Sequence, residues 1–272
     1  MGDWGHYLVA AVLAVVAGFV FGLFTAGGAL TLVPILEQLL RLPTPQARGA
    51  TLAIQAVTGA ITAWQHARHG NLRPRPAAPM LVGTALSALV AGGVTHRLPH
   101  WLLDGLFGGM VLVAVGMLLR RRTADVAPGK PLAPWPVQLA IGFVLSFVPA
   151  LVGIGGGFLF VPALYGLCGL TIHQAAGTAM LFVVATCAMG VTGRLIHAQP
   201  IPFDLVALFC VVTIASSGLG ARVARALSAA RLKAAFCVFL VLLGCYYLGL
   251  AAVRSRSGPT LPAAAAPSGG VR

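Results

Sequence analysis

PLAPWPVQLAIGFVLSFVPALVGIGGGFLFVPALYGLCGLTI, Pro131–Ile172, contains no charged residue. As one straight helix it would extend about 60 Å, twice the hydrocarbon thickness of a bilayer. It is interrupted at Gly155-Gly156-Gly157 and again at Pro162. Glycine loosens a helix and proline removes one of its donors. The spacing therefore predicts a helix, a short unwound glycine-rich turn and a second half-helix. A second uncharged stretch, Tyr7–Leu36, is broken at the matching place by Gly27-Gly28 and Pro34.

The match extends well beyond the breaks. Shifted by 128 residues and compared without a gap, Gly18–Pro74 and Ser146–Pro202 are identical at 17 of 57 positions. The pairs include Gly27/Gly155, Gly28/Gly156, Pro34/Pro162, Gln46/Gln174, Ala47/Ala175, Gly49/Gly177, His69/His197 and Pro74/Pro202. Shared apolar composition does not place paired Gly-Gly, Pro, Gln-Ala-x-Gly and His in one ungapped register. The chain reads as two sequence repeats of about four helical segments each. The first repeat spans 1–119 and the second 137–253; a basic, proline-rich linker occupies 120–136. A tail at 254–272, rich in Pro, Ala, Ser and Gly, is expected to be disordered.

Composition fixes the solvent. Of 272 residues, 58% are hydrophobic and 8% charged, against about 25% charged in a soluble domain. Such a chain cannot cover itself with a hydrated surface, so a water-soluble enzyme or nucleic-acid binder is excluded. Runs bounded by charges mark about eight transmembrane segments, near 6–41, 49–66, 78–96, 101–119, 137–170, 174–193, 203–221 and 234–253. They lack barrel-type alternation, so the fold class is an all-α integral membrane protein. The N-terminal segment has no basic n-region and is expected to remain as a span.

The net charge of +13 does not point to nucleic acid, because the basic residues sit in short gaps between apolar runs. They concentrate at 67–77, 120–136 and 222–233. If all three loops are cytoplasmic, the broken segments are hairpins and the repeats inverted; single crossings would make the repeats parallel. Arg outnumbers Lys sixteen to two, a compositional sign of a GC-rich bacterial genome, and the expected location is the inner membrane. The five cysteines form no CxxC pair and read as small buried hydrophobes. No metal site or cofactor is expected, and no Walker, zincin or dinucleotide motif is present.

Duplicated halves with broken helices are a transporter plan in which unwound turns present backbone N–H groups to an anion. Gly27, Gly28, Gly155, Gly156 and Gly157 are accordingly candidate substrate-binding positions; the alternative is that they only permit close helix packing. Arg48 begins the second span and Arg194 closes the sixth, with His66 at the position equivalent to Arg194. A forked guanidinium suits an oxyanion, while the alternative for a span-end arginine is snorkelling to headgroups. Glu37 and His66 are the coupling candidates, Glu37 reading otherwise as an interfacial acid near Arg41. Asp104 and Asp204 fit a helix-dipole role. Gln55, Thr51, Thr58 and Thr178 read as interhelical hydrogen-bonding residues. Gly83, Gly92, Gly93, Gly105, Gly108 and Gly109 are small-residue contacts within a monomer or between copies of a homo-oligomer.

LVGIGGGFLFVPALYGLCGLTIHQAAGTAMLF, Leu151–Phe182, resembles the sulfite exporter TauE/SafE family in its Gly-Ile-Gly-Gly-Gly, Pro and Ala-x-Gly-Thr elements. The first half repeats the theme as GLFTAGGALTLVPILEQLLRLPTPQARGATLA, Gly22–Ala53, with Ala29 in place of a third glycine. That departure leaves both turns, or the second alone, as the binding element. The resemblance covers roughly 10–253. It implies a multi-pass inner-membrane protein, not an enzyme, that exports small sulfur-containing anions such as sulfite or sulfonates. With no ATP motif, the expectation is a secondary transporter working by alternating access, with a small anion and membrane lipid as partners. A passive anion channel and a non-transporting membrane scaffold are the competing readings.

Overall fold

The computed structural model describes residues 3–24, 31–120, 134–168 and 170–256. Gly27, Gly28, most of the 120–136 linker and the tail from 257 onward lie outside the described residues. The regular elements of the described residues are helices: α1 (Asp3–Phe24), α2 (Leu32–Pro34), α3 (Thr44–Arg68), α4 (Ala78–Val94), α5 (His100–Arg120), α6 (Trp135–Val152), α7 (Gly157–Leu167), α8 (Ile172–Ile196), α9 (Phe203–Ala226) and α10 (Ala229–Arg256). Among them, five stretches are long and apolar enough to cross a membrane: Arg75–Val94, Trp135–Val152, Gln174–Ile196, Phe203–Gly220 and Ala234–Arg256. Leu8–Leu23 and His100–Val113 are shorter apolar helices. Helix α10 runs through Arg256, past the expected boundary at 253, because Arg254 turns inward to a partner described below.

The break in the long second-half segment has a local cause. Helix α6 ends where Gly153 adopts a left-handed conformation (φ +92°), with Gly153 N–H bonding to Pro149 O and Ala150 O and Ile154 N–H to Pro149 O. This is the glycine stop that satisfies terminal carbonyls. Gly156 is also left-handed (φ +64°) and opens α7, which continues through Pro162 to Leu167, so the second interruption expected at Pro162 does not occur. In the first half, α2 passes at Pro34 into a π-helical turn, Ile35–Leu39. Such turns widen the helix by one residue and recur at functional sites.

Close contacts set the helix directions. Gly59 meets Val183 and Val184, Gln55 reaches Cys187, Leu52 covers Gly190 and Gly49 approaches Arg194. Numbers fall along α8 as they rise along α3, so the two helices are antiparallel. Helix α4 runs parallel to α6, through Gly83 on Leu139 and the Ser87 hydroxyl on Phe143 O, and parallel to α8, through Leu89 at Gly193 and Gly93 at His197. Since α6 and α8 therefore point the same way, the chain between them returns through the Gly153–Gly156 turn and α7. Helices α5 and α10 are antiparallel, with Gly105 at Ala251, Gly108 at Leu248 and Leu112 at Gly244.

These contacts answer the small-residue question. Gly83, Gly92, Gly93, Gly105 and Gly108 all pack against other helices of the same chain, whereas a Cβ on Gly109 would meet open space. Without a hydrophobic drive between helices in lipid, such close backbone approach supplies the packing. Of the cysteines, Cys168, Cys187, Cys210 and Cys237 are buried as expected; Cys245 is exposed on α10.

A buried arginine pair with unused donors

Helix α3 starts and α8 ends at the same end of the bundle. Arg48, one turn into α3, is 1% exposed, and Arg194, in the last turn of α8, is 0% exposed. Snorkelling to headgroups is thereby excluded for both. The two are neighbours: a Cβ on Gly49 would lie 3.8 Å from Arg194 Cδ.

Arg48 Nη2 donates to Asp104 Oδ1 on α5 at 2.7 Å. Its Nε and Nη1 are buried with no hydrogen-bond partner. Arg194 Nη1 donates to Gln199 Oε1 at 3.1 Å, and Gln199 Nε2 donates in turn to Gly92 O at 3.3 Å. Arg194 Nε and Nη2 are again buried without a partner. An unmet buried donor costs free energy, more so on a charged group. Four such donor nitrogens, two on each guanidinium at this end of the bundle, are the kind of group an oxyanion accepts from.

The carboxylates of this end are engaged by other nitrogens, Asp104 by Arg48 Nη2 and by Arg254. Asp104 Oδ2 accepts from Arg254 Nη1 at 2.6 Å, and Arg254 Nη2 also pairs with Glu37 Oε1 in the π turn. Glu37 Oε1 accepts from Thr44 Oγ1 at 2.7 Å. Glu37 is thus tied to α10 and α3, a different role from an interfacial acid beside Arg41. Asp104, expected to serve the helix dipole, instead joins α3 to α10. Arg254 is 25% exposed and forms the outer rim.

Two further groups escaped the sequence reading. His100 opens α5 with its Nδ1 buried and unpartnered, and Arg48, Arg254 and Glu37 act on it electrostatically. Tyr247 is buried edge-on to Phe107, ring centroids 4.8 Å apart, and its hydroxyl has no partner. It lies two turns before Arg254 on the same face of α10. A run of His100, Asp104, Phe107 at helical spacing was the available signal.

The glycine turn lies against this pair. A Cβ on Gly153 would come 2.6 Å from Arg48 Cβ. Gly155 N–H donates to Gln55 Oε1 at 2.8 Å, and a Cβ there would sit 2.7–2.8 Å from Gln55, Cys187 and Val183. Gln55 is therefore an interhelical residue as expected, through Cys187 of α8, whereas Thr178 accepts from Arg73 N–H of the loop after α3 at 3.0 Å and not from another helix. Thr51 and Thr58 bond back to their own helix, at Ala47 O and Ile54 O. His66 stands at the opposite end of α3, its Cβ 3.1 Å from the position of a Cβ on Gly177. The structure thus brings Arg48, Arg194 and Gly153 together, and separates Glu37 from His66.

Comparison with known proteins agrees with the membrane architecture. The family model described as "Sulfite exporter TauE/SafE" matches residues 10–247. A protein of Bacillus subtilis (strain 168) named "Probable membrane transporter protein YdhB" is 23% identical over 223 residues, covering 80% of this chain and 90% of the relative. No solved structure matches the chain.

Proposed function

The chain belongs to the sulfite exporter TauE/SafE family, multi-pass transporters of the bacterial inner membrane and not enzymes, and on that premise we propose that it is a secondary exporter carrying a small oxyanion, sulfite or a sulfonate, between Arg48 and Arg194. The observation that carries this reading is the set of four buried, partnerless donor nitrogens on those two guanidiniums. Gly153, Gly155, Gly156 and Gly157 contribute the joint that lets the turn pack onto Arg48 and Gln55; Gly27 and Gly28 remain candidates for the first half from the sequence repeat.

The proposal includes two inverted repeats rocking about α3 and α8. In support, α3 and α8 have 25 residues each, begin 128 residues apart and run antiparallel. The parallel contact of α4 with α6 recurs between their counterparts α9 and α1, where Gly18 meets Thr213 and Ser216 and Gly220 meets Phe19. The C-terminal ends of α3, α5 and α9 all lie opposite the arginine pair. They carry the basic loops 67–77, 120–136 and 222–233, which the positive-inside rule assigns to the cytoplasm. The arginine pair then faces the outer side, and Glu37–Arg254 closes that end. His66 is the coupling candidate of the cytoplasmic end.

The test uses full-length protein in detergent and in liposomes. Sulfite or methanesulfonate at a hundredfold excess over Kd should stabilise it by about 2.7 kcal/mol, read as a rise in unfolding temperature. Arg194→Met should abolish that rise while making the anion-free protein more stable, since an unpaired buried charge is removed, by on the order of 1 kcal/mol. Labelled sulfite should accumulate transiently by counterflow, as a carrier requires and an open channel does not allow. An anion-induced rise that survives Arg194→Met overturns the site; equilibration without counterflow favours a channel.

A further inference from the structure

The charge count of the arginine end restricts what can occupy it. The outer pair, Glu37 and Arg254, cancels itself. Inside it, Arg48 is paired with the carboxylate of Asp104, and buried Arg194 has no carboxylate partner, its one hydrogen bond going to Gln199. Apart from His100, the inner group therefore carries one uncompensated positive charge among the described residues. Uncompensated charge buried from water costs several kcal/mol. A monoanion brings the group to neutrality. A dianion reverses the excess to one negative charge and restores the penalty.

We infer that this site holds one net negative charge, admitting a monoanion alone and a dianion only together with a proton that His100 takes up. The inference rests on the reading of Arg48–Arg194 as the anion site and adds its charge selectivity. His100 has the needed geometry: its Nδ1 is buried and partnerless, at the edge of the cluster. The charges that act on it are Arg48 on α3, Arg254 on α10 and Glu37 in the π turn, with Asp104 one turn along its own helix. Tyr246 and Tyr247 add two phenols from α10 to the same cluster. Both carboxylates already accept from arginines, so protonating either would break an ion pair. His100 is the group that can gain a proton without losing a partner. As the balance stands, the proton comes from solvent, no bond to the anion forms, and both leave together when the site opens.

The experiment is calorimetric titration of the full-length chain in lipid nanodiscs, in two buffers of different ionisation enthalpy. Methanesulfonate and sulfate, similar in size, serve as monoanion and dianion. Methanesulfonate should give the same heat in both buffers. Sulfate should show uptake of one proton per anion, and its affinity should fall about tenfold per pH unit once His100 is neutral in the free protein. His100→Gln should remove that proton uptake and weaken sulfate about tenfold or more relative to methanesulfonate. Sulfate binding without proton uptake, or exclusion of sulfate at every pH, overturns the inference while leaving the anion site intact. Uptake that survives His100→Gln moves the proton to a carboxylate and overturns the role of His100. Binding of neither anion overturns the site itself, and this inference with it.

Discussion

At one end of the antiparallel α3–α8 pair the chain places Arg48 and Arg194; at the other it places His66 and Gly177. Both ends use the same Gln-Ala-x-Gly register, Gly49 in one helix and Gly177 in the other. At the Gly177 end a backbone loop fills the gap: a Cβ there would come 2.6 Å from Asn71 O, Asn71 N–H bonds to His66 O, and Arg73 N–H bonds to Thr178 Oγ1. At the Gly49 end the space next to the glycine is taken by side chains, Ile201 and Arg194. The glycine sets how closely the chain approaches, and the residues beside it decide whether the end is sealed by backbone or left with charged donors.

The comparison breaks most readily at Asp104. Asp104→Asn leaves Arg48 and Arg254 without their shared carboxylate and should cost about 3–5 kcal/mol, read as chemical or thermal unfolding in detergent. An equal loss on removing a polar group at the opposite end, as in Thr178→Val, would erase the asymmetry. Next, Gly177→Ala forces a Cβ onto a backbone oxygen that cannot rotate away and should cost about 1–3 kcal/mol. Thr171 caps α8 through a reciprocal box with Gln174, so Thr171→Ala should cost about 1 kcal/mol. Its counterpart at the start of α3 is Pro43, with no side-chain cap, and no such loss is available there. The smallest effect belongs to Gly49→Ala, whose Cβ would meet the Ile201 side chain at 3.1 Å. That chain can shift, so the loss should stay below about 1 kcal/mol. Equal costs for Gly49→Ala and Gly177→Ala would contradict the distinction between side-chain and backbone closure.

Much of the scaffold was legible beforehand because its causes are local. Uncharged stretches longer than a bilayer must break, and Gly153–Gly157 supplies two left-handed positions where the break occurs. Gln174 was singled out from the repeat, and it caps α8; Gln46, its counterpart, follows Pro43 and has no such cap to complete. The candidate site was legible only in part. Arg48 and Arg194 were named, yet a span-end arginine reads equally well as a lipid contact until its neighbours are known. Asp104 and Arg254, 150 positions apart, carry no local mark of being partners, and Arg254 looked like the start of a tail. His100 and Tyr247 were missed for the same reason: a polar atom becomes conspicuous only when burial denies it water.

The sequence by itself determined the solvent, the helical class, the glycine break between α6 and α7 and the family, since each follows from composition, run length or short-range pattern. Tertiary structure alone decided that α3 and α8 are antiparallel, that two arginines are buried at the same end of the bundle, and that one carboxylate is shared between two of the three guanidiniums at that end. The reason is physical. Hydropathy and helix breaking act over a few residues, while the worth of a charge depends on what excludes water from it and what stands opposite.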